Sequence, residues 1–105
     1  MTVIREWRGR TSLAKENEYP EHFRQNVVPE LQTTDGFEGA HLTRRTLAGG
    51  IEYLVLTRWS SKKAIRTFAG KDIDKAVVEP GAIAALTDYD DHVSHYEAIE
   101  IVVVR

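Results

Sequence analysis

Cysteine is absent from the 105 residues, which excludes a disulfide framework, a thiolate nucleophile and any cysteine-based zinc site. An excess of either charge is also missing. The 14 basic and 16 acidic residues give a net charge of −2 and are mixed along the chain, so no basic stripe awaits a nucleic-acid backbone. No apolar run approaches the length of a bilayer span, and the opening MTVIREWRGR lacks the apolar centre of a secretion signal. Repeats, low-complexity tracts and linkers are missing too. These absences predict one cytoplasmic domain over residues 1–105, without nucleic-acid or membrane partners. A chain of this size buries roughly 65% of its unfolded surface, enough for a single core.

What is present falls into six elements. Val3 to Arg10 alternates as a strand, with Val3, Arg5 and Trp7 on one face and Ile4, Glu6 and Arg8 on the other. Tyr19, Phe23, Val27 and Leu31 form the apolar stripe of a helix that accepts Pro20 in its first turn and is bent by Pro29 in its last. Asp35-Gly36 turns the chain into a second strand, Phe37 to Leu47, with Phe37, Gly39, His41, Thr43 and Arg45 on one face. Gly49-Gly50 marks a hairpin, and Ile51 to Trp59 returns antiparallel. Ser60 or Ser61 caps a helix that turns Ala64, Ile65 and Phe68 inward and stops at Gly70. After a short turn from Asp72 and a short helix from Pro80, Asp88 to Val103 reads as one long final strand. The order is that of a ferredoxin-like, split βαβ α+β domain with helices on one face of an antiparallel sheet. Its other face, with Leu42, Leu54 and Leu56, is expected to be covered by a second copy, giving a homodimeric α+β barrel.

Several side chains can carry chemistry, each with a plainer alternative. Trp59 can stack on a flat substrate or close the core at a strand end. His92 and His95 can each act as a base or serve as a hydrogen-bonded interface residue. Three apart on a strand, they point to opposite faces, so no metal site is expected. Arg44, with His41 and Arg45, can stabilise an anion or form ion pairs. Tyr53 and Tyr96 can donate to a substrate oxygen or belong to the core. A pocket between sheet and helices would be walled by Trp59, Phe23, Phe68, Tyr53 and Trp7.

The segments REWRGR, PELQTTDGFEGAHLTRR, EYLVLTRWSSKKAIRTFAG, AVVEPGA and DDHVSHYEAIE resemble the antibiotic biosynthesis monooxygenase domain, a family of dimeric α+β barrels. The resemblance implies a homodimer and, from the branch that converts polyphenolic anthrones to quinones, a monooxygenase that works without a cofactor. In that branch and in the haem-degrading one, a tryptophan at the end of the third strand lines the pocket, and Trp59 matches it. The haem-degrading branch also uses a first-strand asparagine and a histidine in the following helix, and this chain has neither. Val55 and Ile65 stand about where the quinone-forming branch has an asparagine and a tyrosine.

The expected function is therefore cofactor-independent oxygenation of a small aromatic or polyketide-like compound. Trp59 would position the substrate, His92 or His95 would take a proton, and Arg44 would stabilise the anion. The alternative is a dimeric small-molecule-binding or stress-associated protein without turnover.

Overall fold

Nine consecutive residue pairs, Val3↔Trp59 to Thr11↔Ile51, join the first and third strands at the centre of the sheet. In the computed structural model, which describes residues 1–104, the strands are β1 (Val3–Thr11), β2 (Phe37–Leu47), β3 (Gly50–Trp59), β4 (Asp88–Tyr89) and β5 (Ser94–Glu97). The sheet order is β2-β3-β1-β4, with β5 also on β1, and every pairing is antiparallel. One face carries the first helix, over residues 18–32, and the helices Lys62–Ala69 and Pro80–Ala85. This is the split βαβ architecture of an α+β domain.

Strand alternation sorts the residues as the sequence predicts for β1 and β3. Val3, Arg5, Trp7, Gly9 and Thr11 face the helices opposite Trp59, Thr57, Val55, Tyr53 and Ile51. The helices bury that face in one cluster with Tyr19, Phe23, Leu31, Ile65, Ala82, Ala85 and Leu86. Tyr19 is its aromatic centre, with ring centroids 5.3 Å from Tyr53, 5.8 Å from Trp7 and 6.2 Å from Phe23.

The first helix is not uniform. Its pieces run Glu18–His22, Phe23–Val27 and Val28–Gln32, and the middle one is a widened π turn. Pro29 follows it within the first two residues of the last piece, where its missing N–H interrupts the regular ladder. The helix Lys62–Ala69 begins as expected at Ser61, whose Oγ accepts from the Ala64 N–H at 3.1 Å. It ends at Gly70, where φ is +87°.

Three expectations are corrected. First, a bulge between Phe37 and Gly39 shifts β2 by one residue. Phe37 therefore pairs with Trp59 on the helix side while His41, Thr43 and Arg45 lie on the open side. The same shift moves Leu42 and Arg44, opposite Val55 and Tyr53, onto the helix side, so Leu42 is not part of the open face. Second, the hairpin loop is Ala48-Gly49, with φ of +78° at Gly49, and Gly50 already belongs to β3.

Third, Asp88 to Val103 is not one strand. Between the pairs Gly9↔Tyr89 and Glu6↔Ser94, β1 has two residues and the returning chain has four, Asp90 to Val93. The two extra residues bow outward and bond instead to the 74–76 segment, through Ala76 N–H to the Asp91 carbonyl at 2.8 Å and Val93 N–H to the Asp74 carbonyl at 2.8 Å. Beyond β5, Ile99, Ile101, Val102, Val103 and Val104 are exposed and lie outside any strand.

Candidate functional site

The helix-side face of β1 and the first helix enclose a cavity of about 60 Å³. Its apolar wall includes four aromatic rings: Trp7 from β1, Tyr19 and Phe23 from the first helix, and Phe68 from Lys62–Ala69. Four polar side chains reach it, from Arg5, His22, Thr57 and Glu79. Val77 and Glu79, both partly exposed, place its rim on the irregular stretch ahead of the helix Pro80–Ala85.

His22 is nine-tenths buried, with a side-chain exposure of 10%. Asn26 Nδ2 lies 3.2 Å from His22 Nδ1 and 3.3 Å from the His22 carbonyl. Since an amide nitrogen only donates, Nδ1 is the acceptor and the proton of the neutral ring is on Nε2. That Nε2 is buried without any hydrogen-bond partner, and Glu79 Oε1 is 3.8 Å from it. Gly81 makes the position possible, because a Cβ there would come within 2.6 Å of His22 Nδ1. On an apolar cavity the unused donor can hold an oxygen, and the carboxylate beside it can receive a proton. The neighbouring Tyr19 hydroxyl is held protonated, its pKa raised by burial and then by the Glu79 charge.

Arg5 occupies the other end. Its residue is only 5% exposed, yet its contacts are neutral acceptors: the Ile73 carbonyl, His95 Nε2 at 3.0 Å and the Lys75 carbonyl at 3.1 Å. Burial lowers its pKa to about 10 against the opposing pull of Asp74, so it remains a cation at neutral pH. Asp74 is reached through His95, whose Nδ1 lies 3.2 Å from Asp74 Oδ1. A neutral His95 accepts from Arg5 at Nε2 and donates to Asp74 at Nδ1, so both ring nitrogens are used. Thus the sheet and the 72–76 segment are tied together by one buried chain of hydrogen bonds.

The sequence-selected residues divide between this cavity and other places. Trp7, Phe23 and Phe68 line it. Trp59 is fully buried and outside the lining, with its indole N–H on Thr57 Oγ1 at 2.8 Å and its ring between Phe37 and Phe68, at 5.4 and 5.6 Å. His95 stands behind Arg5, whereas His92 is exposed in the bulge, bridged to Lys75. Arg44 pairs with Glu16 at 3.6 Å, away from the cavity. Tyr53 donates its hydroxyl to the Glu16 carbonyl, and Tyr96 is 53% exposed beside Ile4 on the open face. Arg5, His22 and Glu79 were not selected from sequence. A signal existed for His22, which is three residues from Tyr19 and beside Phe23 on the buried stripe.

His95 gives a measurable pH dependence. Burial, and then the adjacent Arg5 charge, hold its pKa below the ordinary 6.5. The unfolded chain then takes up this proton first, so stability is full above about 6.5 and declines as pH falls towards the lower folded-state value. Thermal melts across this range are expected to show Tm falling on acidification, with a shallower fall in His95→Gln, which keeps an acceptor for Arg5. An unchanged slope in that variant would contradict the assignment.

The model of the antibiotic biosynthesis monooxygenase family matches residues 2–80. No match appears among curated proteins. Among solved structures, the chain is similar to a provisionally assigned antibiotic biosynthesis monooxygenase from Bacillus cereus, at 16% identity and a TM-score of 0.69 over 100% of this chain and 98% of that one. It is also similar to SnoaB, a cofactor-independent oxygenase from Streptomyces nogalater, at 17% identity and a TM-score of 0.62 over 96% of both chains. MhuD, a haem-degrader from Mycobacterium tuberculosis with two haems bound in its active site, gives 20% identity and a TM-score of 0.64 over 96% of this chain and 99% of that one. With most of its length matched by the family model and its whole fold shared with these structures, the chain belongs to the antibiotic biosynthesis monooxygenase family.

Proposed function

We propose that the protein is a cofactor-independent monooxygenase acting on a small aromatic or polyketide-like substrate in the cavity between Trp7, Tyr19, Phe23 and Phe68. The observation that carries this reading is the buried, unpartnered His22 Nε2 beside Glu79. Direct reaction of a ring compound with dioxygen begins with loss of a proton, which leaves an electron-rich anion able to reduce oxygen. Glu79 takes that proton, and His22 Nε2–H donates to the oxygen on which charge accumulates. For a methylene flanked by aromatic rings, one oxygen atom becomes the new carbonyl and the other leaves as water with the two methylene hydrogens. These roles replace the ones expected for His92 and Arg44, which stand outside the cavity. Trp59 acts through Phe68, against which it packs, by holding that wall in place.

The cavity as it stands is small. About 60 Å³ suits roughly two waters, whereas a benzene ring occupies a cavity on the order of 150 Å³. A substrate ring therefore enters by displacing part of the wall, and Val77, exposed on the irregular rim, is the residue placed to yield. The haem-degrading alternative draws no support from the chain's own residues, because the helix Lys62–Ala69 carries no histidine.

The proposed assembly is a homodimer through the open sheet face. Ile4, Leu54 and Leu56 are half-buried there, and Ile99 to Val104 adds an exposed apolar run next to it.

Oxygen uptake by the metal-free protein with a panel of anthrones, hydroquinones and flavonoid-type phenols is expected to require the protein. Glu79→Gln should lower the rate roughly 10²- to 10⁴-fold. Gly81→Ala, which removes no functional group, should also slow it by displacing the His22 ring. Full activity in both variants would place the chemistry elsewhere. No uptake, combined with a raised Tm on adding the same compounds, would favour the non-catalytic binding protein. Light scattering at micromolar concentration is expected to give twice the monomer mass and to return the monomer mass once residues after Ala98 are removed; a full-length monomer would contradict the dimer.

A further inference from the structure

Arg5 is a buried cation that the protein itself does not pair. No carboxylate among the described residues forms an ion pair with it, and the balancing charge of Asp74 stands one residue removed, behind His95. A buried charge is ordinarily held against an opposite one, because an unpaired charge in an apolar setting is costly. Of its five N–H donors, two on Nη1 serve Ile73 and His95 and one on Nη2 serves Lys75. The remaining two, Nε–H among them, meet no acceptor among the described hydrogen bonds, and the Arg5 side chain borders the cavity.

The cavity is thus bordered by a buried cation, Arg5, and by an unpartnered donor, His22 Nε2, with apolar side chains between them. We infer that its ligand is a monoanion bearing a planar oxyanion, a carboxylate or an ionised phenol, on a small apolar ring, and that Arg5 receives the oxyanion. This rests on the reading of the cavity as the substrate site. A guanidinium fork matches such a group in shape as well as charge, and the low-dielectric wall strengthens the attraction. Glu79 limits the charge of the ligand. Its carboxylate near His22 would repel a second anionic group at that end, so the two ends together select one negative charge. Arg5 is then a specificity-determining residue, and His95 and Asp74 are positioning residues that hold its guanidinium.

Calorimetric titration without oxygen, using benzoate, its neutral isostere benzamide and benzylamine, tests this apart from turnover. Benzoate is expected to bind at least about tenfold more tightly than benzamide, with benzylamine weakest. The Arg5 Nε–H resonance should shift on adding benzoate and stay in place with benzamide. An ionised nitrophenol distinguishes the two oxyanion sources: tighter binding than benzoate assigns the phenolate. Arg5→Lys, which keeps the charge and loses the fork, should weaken benzoate binding, but the comparison of benzoate with benzamide needs no variant to fold. Equal affinities, an unmoved Arg5 resonance or no binding by any of the rings would overturn the inference. Benzoate binding without oxygen uptake by any phenol would leave the inference standing and remove the oxygenase reading. Uptake with neutral rings preferred would do the reverse.

Discussion

Everything at the candidate site depends on the register between β1 and β3. Because side chains alternate, this one ladder puts Val3, Arg5, Trp7, Gly9 and Thr11 on the helix side together with the odd-numbered residues of β3. A slip of one residue would send Arg5 and Trp7 to the open face and bring Ile4, Glu6 and Arg8 inward. The site would lose its cation and its largest wall. Burial of Trp59, Tyr53, Val55 and Ile51 against the helices specifies the register, and β4 and β5 then attach to the remaining edge of β1.

That attachment is where charge contributes. Arg10 holds Asp88 at 2.5 Å and Asp90 at 2.7 Å, with Glu52 at 3.7 Å from the neighbouring strand. The Arg10 hydrogen bond lowers the pKa of Asp88, whose carboxylate thus favours the folded chain above the carboxylate range. At the other end of the outward bow, Arg5 and His95 secure the 72–76 segment from inside. The bow is therefore clamped on both sides, and its hydrogen bonds hold the 74–76 segment that leads into Val77 and Glu79.

The sequence carried the strand faces of β1 and β3, the apolar stripe of the first helix and the Ser61 cap, because each is a local pattern with one dominant period or one capping group. It did not carry the bulge at Phe37 and Gly39, which reverses the inside and outside of β2 by one unpaired residue, nor the bow at Asp90 to Val93. Both arise from pairing with distant strands. For the same reason the site was only half legible. Trp7, Phe23 and Phe68 announce themselves as large apolar residues on inward faces, whereas Arg5 and Glu79 are types that composition places at the surface. Their roles follow from what surrounds them: the carbonyls of the 73–75 segment in one case, a partnerless imidazole in the other.

The chemistry of the cavity turns on the state of one ring. If His22 is the donor that meets the substrate oxygen, its neutral form carries the proton on Nε2, as the contact from Asn26 requires. Nitrogen-15 NMR of the histidine rings reports this directly. His22 is expected to show the Nε2–H tautomer, and that nitrogen to shift when an aromatic ligand occupies the cavity. A proton found on Nδ1, or an Nε2 that does not respond to a bound ligand, would contradict that role.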